Sequence, residues 1–197
     1  MAVAKRRADV FLNIPFADSH EFLYVSLIAG LVALRLNPRC VLEIPPQQSR
    51  LQRLYQLIAS CPYSVHDLSY VRLSRNGHRV PRFNMPFELG IAVAVALTKQ
   101  GADAHQFRIL EAKPYRVQQS LSDVLGHDPY IHRGSADGVL ESLLDVFSHL
   151  RDAPELGEMR RLCRDLRLFR RRTLGNNIFT SRAFANLVVA ARQLTET

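Results

Sequence analysis

The densest group of side chains able to do chemistry lies in Tyr63-Ser-Val-His-Asp-Leu-Ser69 and in Arg82-Phe-Asn-Met-Pro-Phe-Glu-Leu-Gly90. Asp67 and Ser69 close a strand-like run, where polar side chains face a crevice. Glu88 is expected in the first turn of the next helix, pointing back towards the strand ends. The positive end of the helix dipole stabilises an exposed carboxylate there by roughly 0.3–1 kcal/mol. Pro86 suits a first helical turn and Asn84 is an acceptable cap. A plain structural reading stays open beside this one. A first-turn Glu is routine, His66 within a strand reads as a satisfied, half-buried histidine, and Phe83, Met85 and Phe87 suit either a core or a pocket.

Other constellations carry less. No Gly-rich phosphate loop follows the first strand, and Ser69 has no evident Ser/His/Asp partners or nucleophile elbow. Asp123, Asp128 and His132 read either as metal ligands or as a polar loop capping a helix. Cys40, Cys61 and Cys163 are odd in number and widely spaced, with no zinc-ligand pattern, which suits a reducing cytoplasm. The run Arg160 to Arg172 could meet nucleic acid, but the acidic residues within and before it (Asp165, Glu155, Glu158) favour a solvated helix face.

The chain has 197 residues, 47% of them apolar, and a formal charge of +8. That is one domain of ordinary size with enough apolar residues for a core. The basic balance points to anionic partners, although Lys occurs only at Lys5, Lys99 and Lys113. Met1 to Asp9 runs straight into a strand-like segment without the apolar region of a signal peptide. Leu23 to Leu36 is interrupted by Arg35 and too short for a bilayer. A cytoplasmic protein with no membrane partner is the expectation.

The positioning elements follow from periodicity and turn chemistry. Strands are expected at Asp9–Asn13, Arg39–Glu43, Tyr63–Asp67, Phe107–Glu111 and Tyr130–Ile131. Ser19 caps a helix whose apolar face is Phe22, Val25, Ile28, Ala29 and Val32. A helix over 48–59 buries Leu51, Leu54, Tyr55 and Ile58, a small hairpin or loop fills 72–81, and helices cover 86–97 and 135–150. This alternation predicts an α/β, flavodoxin-like, three-layer domain over residues 1–150, with a central, mostly parallel five-stranded sheet. Residues 151–197 form a C-terminal helical extension, from about Pro154 to Arg172 and Phe179 to Leu194, packed on the domain or on a second subunit. Such sheets bind ligands at the carboxyl ends of their strands, here Asn13–Ser19, Asp67–Asn84 and Glu111–Arg116.

In this order, Val10-Phe-Leu-Asn-Ile-Pro-Phe16, Tyr63 to Ser69, Arg82 to Gly90 and Ser122-Asp-Val-Leu-Gly-His-Asp128 resemble the Toll/interleukin-1 receptor (TIR) and nucleoside 2-deoxyribosyltransferase superfamily. More narrowly they resemble a group of short bacterial TIR-like proteins. The resemblance covers about Asp9 to Leu150. It implies an N-glycosidic-bond site, in which Glu88 of Glu88-Leu-Gly90 matches the carboxylate that attacks the sugar or supports loss of nicotinamide. Glycosidic cleavage passes through an oxocarbenium-like state that a carboxylate stabilises. Asn13, Pro15, Phe16, Asp67, Ser69 and Asn84 would line the ribose or base pocket, and Arg82 would hold a phosphate bidentately. Arg82, Asn84 and Met85 replace the Asp, Gly and Thr of the transferase pattern, and the Trp-Cys surroundings of many catalytic TIR domains are absent. These departures shift the expected ligand from a nucleoside to a nucleotide. The resemblance thus implies a nucleotide N-glycosidase, foremost an NAD hydrolase in bacterial defence or stress signalling, or a catalytically silent nucleotide-sensing module. NAD or a related nucleotide would be substrate or ligand, no cofactor would be required, and the protein would self-assemble into a homo-oligomer. Nucleic acid remains a further partner class.

Overall fold

The computed structural model describes residues 7–44, 49–70, 83–101, 104–124, 126–175 and 177–196. Its elements in chain order are β1 (Asp9–Asn13), α1 (Glu21–Ala33), β2 (Asn37–Cys40), α2 (Arg50–Ser60), β3 (Tyr63–Asp67) and α3 (Asn84–Thr98). There follow β4 (Gln106–Glu111), α4 (Arg116–Ser120), β5 (Tyr130–Ile131), α5 (Ala136–Val146), α6 (Leu156–Thr173) and α7 (Ser181–Thr195). The strands form one all-parallel sheet in the order β2-β1-β3-β4-β5. The chain is an α/β protein of flavodoxin-like, three-layer build.

Side-chain alternation divides the core in two. Val10, Leu12 and Val65 face α1 and α5. Phe11, Phe107 and Ile109 face α2 and α3. Sequential strands step outward from β1 to β2, then cross to β3, so the direction of winding reverses between β1 and β3. Such a switch point, where adjacent loops diverge, is the expected place for a ligand crevice.

Helix α1 is not the one-faced helix expected from Phe22, Val25, Ile28, Ala29 and Val32. Every residue from Leu23 to Val32 is buried, because the sheet covers one side and α5, α6 and α7 cover the rest. A helix enclosed in this way is apolar all round. Gly30 permits the close approach, since a Cβ there would stand 2.4 Å from Leu143 Cδ1 and 3.2 Å from Met159 Cε.

The C-terminal pair docks on this domain. α6 buries Met159, Leu162, Cys163 and Leu166, and α7 buries Phe184, Leu187, Val188 and Ala191 among others, all in the core shared with α1. An ion pair from Arg170 Nη2 to Glu21 Oε2 (2.7 Å) ties α6 to the start of α1. The outward side of α6 carries exposed Arg160, Arg161, Arg164, Arg171 and Arg172.

Several local expectations are corrected. Val41–Glu43 is a 3-10 turn rather than the end of a strand. Glu43 folds back to accept from the Cys40 backbone N–H (2.8 Å) and from Arg39 Nε (2.8 Å), which stops pairing along β1. Ser19 lies in the 3-10 turn Asp18–His20, bonded to His20 Nδ1 (2.9 Å), and does not cap α1. α2 buries only Leu54 and Ile58, leaving Leu51 and Tyr55 exposed. α5 starts at Ala136 because Ser135 Oγ accepts the Gly138 N–H (3.0 Å), and it ends at Val146. α4 was not foreseen. The expected hairpin at 72–81 lies outside the described residues. Among the described residues no helix is long and apolar enough to cross a membrane.

Candidate functional site

Asn13 and His66 are direct partners across β1 and β3, so their side chains share the α2–α3 face. Asn13 Nδ2 donates to His66 Nδ1 (2.9 Å) and to the carbonyl of Met85 in α3 (2.8 Å). His66 Nε2 meets Ser64 Oγ (2.8 Å), Ser64 Oγ meets His105 Nε2 (2.8 Å), and His105 Nδ1 meets the Cys61 carbonyl (2.7 Å). One proton assignment satisfies every link. The amide of Asn13 can only donate to Nδ1, so His66 carries its proton on Nε2 and donates to Ser64. Ser64 then donates to His105, which donates to Cys61. The electrostatics agree with two neutral rings. Burial, reinforced by repulsion from His105, pushes His66 down to about 3, and burial also lowers His105. His66 is therefore a satisfied histidine that orients Asn13, buried completely rather than by half.

Glu88 sits on the same side of the sheet. α3 begins at Asn84, with Phe83 at the cap position, so Glu88 falls in the second helical turn and not the first. The Phe83 carbonyl accepts from the Phe87 N–H (2.9 Å), and Pro86 is accommodated because first-turn N–H groups have no intrahelical partner. The dipole benefit falls off beyond the first turn, which leaves burial to govern this carboxyl. Half-buried Glu88 is pushed up to about 7 by desolvation, opposed by the charge of Arg50 at the start of α2. Its charge in turn helps raise the Cys40 thiol at the end of β2. Met85, the residue tethered to Asn13, precedes Glu88 by three positions, or about 4.5 Å of helix rise.

Asp67 and Ser69 belong to a second network, on the α1–α5 face. Asp67 Oδ1 accepts from the Ser69 N–H (3.0 Å) and the Ser69 hydroxyl, and Oδ2 accepts from His132 Nε2 (2.9 Å). The Gly134 N–H donates to His132 Nδ1 (3.1 Å), which leaves that nitrogen without a proton. All three side chains are buried. Although Ser, Asp and His meet, the serine donates to the aspartate and not to the histidine, so this is no nucleophilic triad. At the end of β4, buried Glu111 binds Arg116 (2.8 Å to Nη2) and the Ala112 N–H (2.6 Å). Arg116 Nη2 also donates to the Leu68 carbonyl (2.8 Å), locking the β3 and β4 exits together.

Among the remaining expected residues, Pro15 is buried and Asn84 is exposed. Phe16 turns towards α1 and the C-terminal pair, with its ring 5.6 Å from Phe179 and 6.2 Å from Tyr24. Arg82 lies outside the described residues. Asn13 and Glu88 are thus brought to one helix and one face, while Asp67 and Ser69 are committed to His132. Glu111, Arg116, Ser64 and His105 were not foreseen as site residues, and His132 was weighed only as a metal ligand or a capping-loop residue, not as the partner of Asp67. The strand-end rule pointed to the 111–116 segment but could not pair its charges. Among the described residues no group of three His, Cys, Asp or Glu is placed to hold a metal. Asp123 and Asp128 form no such set with His132, whose ring is engaged by Asp67. The three cysteines are free and buried. Burial pushes Cys61 up to about 12 and raises Cys40 and Cys163, so none has the thiolate character of a nucleophile.

Gly138 controls the seat of His132. A Cβ at this position would lie 2.2 Å from the His132 carbonyl oxygen, a backbone atom. Gly138→Ala must move either α5 or His132, and a net loss of about 1–3 kcal/mol is expected despite the better helix propensity of Ala. Urea unfolding measures it; wild-type stability would show that the turn yields freely.

These features define an α/β protein of flavodoxin-like build in which Asn13, at the β1/β3 switch point, fastens the helix that carries a carboxyl group of raised pKa. No protein-family model matches the chain, and no curated protein matches it.

Proposed function

We propose that the β1/β3 switch point holds a nucleotide N-glycosidase site, foremost for NAD-type substrates, with Glu88 as its central carboxylate. The observation that carries the reading is the setting of Glu88: half-buried, pushed up to about 7, and held on a helix that Asn13 fastens to the switch point. A carboxylate in a partly desolvated site interacts more strongly with an oxocarbenium-like centre than one in water. Both Nδ2 hydrogens of Asn13 are committed, so only its Oδ1 remains to meet a ligand, and it would accept from a ribose hydroxyl. The motif resemblance supports the same chemistry. Incubation of the full chain with NAD, NADP and nucleosides tests it. Release of nicotinamide from wild type, reduced at least about 100-fold in Glu88→Gln, is the expected result; equal release by both proteins would remove Glu88 from the reaction.

A second reading, a silent nucleotide-binding module that self-assembles, is favoured by one observation. Neighbouring α2 and α3 leave Leu51, Tyr55, Phe87 and Leu97 exposed, with Phe83 beside them at the α3 cap. Nucleotide binding without turnover, in a protein whose size grows with concentration, would select it.

A further inference from the structure

The amino ends of β1 and β2 carry a second polar cleft, at the opposite end of the sheet from the crevice. It has a volume of about 440 Å³ and is lined by Arg7, Asp9, Asn37, Arg39 and Arg192. Asp9 and Asn37 are register partners at the first positions of their strands, and Arg192 comes from the end of α7. The distance from Asp9 to Asn13 along β1 is about 13 Å, so this cleft and the crevice are separate.

The charges in the cleft do not balance. Asp9 Oδ1 accepts from Asn37 Nδ2 (2.5 Å), and Oδ2 from Arg39 Nη1 (2.9 Å). Arg39 completes its pairing with Glu43 (2.8 Å). Asp9 and Glu43 are therefore both directed to Arg39. Among the described residues Arg192 donates Nη2 only to the uncharged side-chain carbonyl of Asn37. Among the described residues neither Arg7 nor Arg192 forms an ion pair. Moreover, Arg7 Nη1 and Arg192 Nε are buried with no hydrogen-bond partner. Buried donors of charged groups are ordinarily satisfied, and leaving them open is unfavourable. Two guanidinium groups from distant parts of the chain, each with an unpartnered N–H, therefore line one small cleft with positive charge that no described carboxylate matches.

We propose that this cleft is an anion site in which Arg7 and Arg192 together hold a phosphate group, free or as a monoester. The planar guanidinium fork matches two oxygens of a tetrahedral oxyanion, and the cleft volume is in the range of small-ligand sites. Two convergent arginines suit one compact group, whereas a nucleic-acid backbone would need a row of them. The occupied site would also fasten α7 to the sheet, because Arg7 just precedes β1 and Arg192 lies on α7.

Calorimetric titration of the full chain with inorganic phosphate, at constant ionic strength and with acetate as comparator, tests the assignment. Saturable binding at one site is expected for wild type and, with unchanged affinity, for Glu88→Gln. Arg7→Gln and Arg192→Gln should each weaken it at least tenfold. Thermal unfolding establishes that each variant is folded; should Arg192→Gln fail to fold, Arg7→Gln carries the test. Absence of saturable binding in wild type, equal affinity in both arginine variants, tighter binding of acetate, or a changed affinity in Glu88→Gln would each overturn the proposal.

Discussion

Glu88→Gln should make the protein more stable at pH 8 by about 2–3 kcal/mol, with no change near pH 4. The shift from an ordinary 4.5 to about 7 arises from desolvation, and at about 1.36 kcal/mol per unit it amounts to about 3 kcal/mol before allowance for residual solvent. The sign follows from proton counting. Between 4.5 and 7 the folded protein holds a proton on Glu88 that the unfolded chain has released, so stability falls as pH rises through this window. Above 7 the penalty is complete, and a neutral amide of equal size escapes it. In the proposed reaction the ionised form stabilises the oxocarbenium-like state, so wild-type turnover should rise with pH through about 7. Loss of that turnover together with a gain in stability marks a group kept for function at the expense of the fold.

The same variant exposes an opposing slope. Burial holds His66 at about 3 in the folded protein, below its ordinary 6.5. The unfolded chain therefore gains a proton first as pH falls below 6.5, and stability is lost towards acid. Between 4.5 and 6.5 the contributions of Glu88 and His66 oppose one another, each with a slope of up to about 1.4 kcal/mol per pH unit. Wild type should be nearly flat there as far as these two groups go, and Glu88→Gln should lose stability steadily with acid. Urea unfolding from pH 4 to 8 reads both effects. A stability difference independent of pH would show that Glu88 is hydrated and ionises normally.

Asp67→Ala should destabilise the protein by about 3 kcal/mol or more. Asp67 is the acceptor for three donors, the Ser69 N–H, the Ser69 hydroxyl and His132 Nε2. All lie in a buried setting, and each buried donor left open costs about 1–3 kcal/mol. Asp67→Asn keeps one acceptor oxygen and should recover part of the loss. Denaturant midpoints measure the series, and a loss below about 1 kcal/mol for Asp67→Ala would mean that water replaces the carboxylate. Because the Asp67 pair faces α1 and α5 while Glu88 lies on α3 at the other side of the sheet, Asp67→Asn should alter stability more than any base release.

The parallel α/β plan was legible in the order of apolar runs and turn residues along the chain. β1, β3 and β5 have the expected bounds and β4 differs by one residue, since short apolar runs between turn residues suit strands buried on both faces. The helices were legible for the same reason, though α3 starts earlier than Pro86 and carries Glu88 into its second turn. Glu88 was identifiable as a carboxylate near the strand ends, but its raised pKa was not, because desolvation depends on neighbours distant in sequence. Even Arg50, whose charge opposes the shift, precedes Glu88 by 38 positions. Tertiary structure alone decided that Asn13 and Glu88 share a face while Asp67 turns to the other, a consequence of strand register and side-chain alternation. It also brought His132 to Asp67 across 65 positions and laid α6 and α7 over α1, turning a one-faced helix into an enclosed one. Periodicity records which side chains avoid water; only packing determines which polar groups meet.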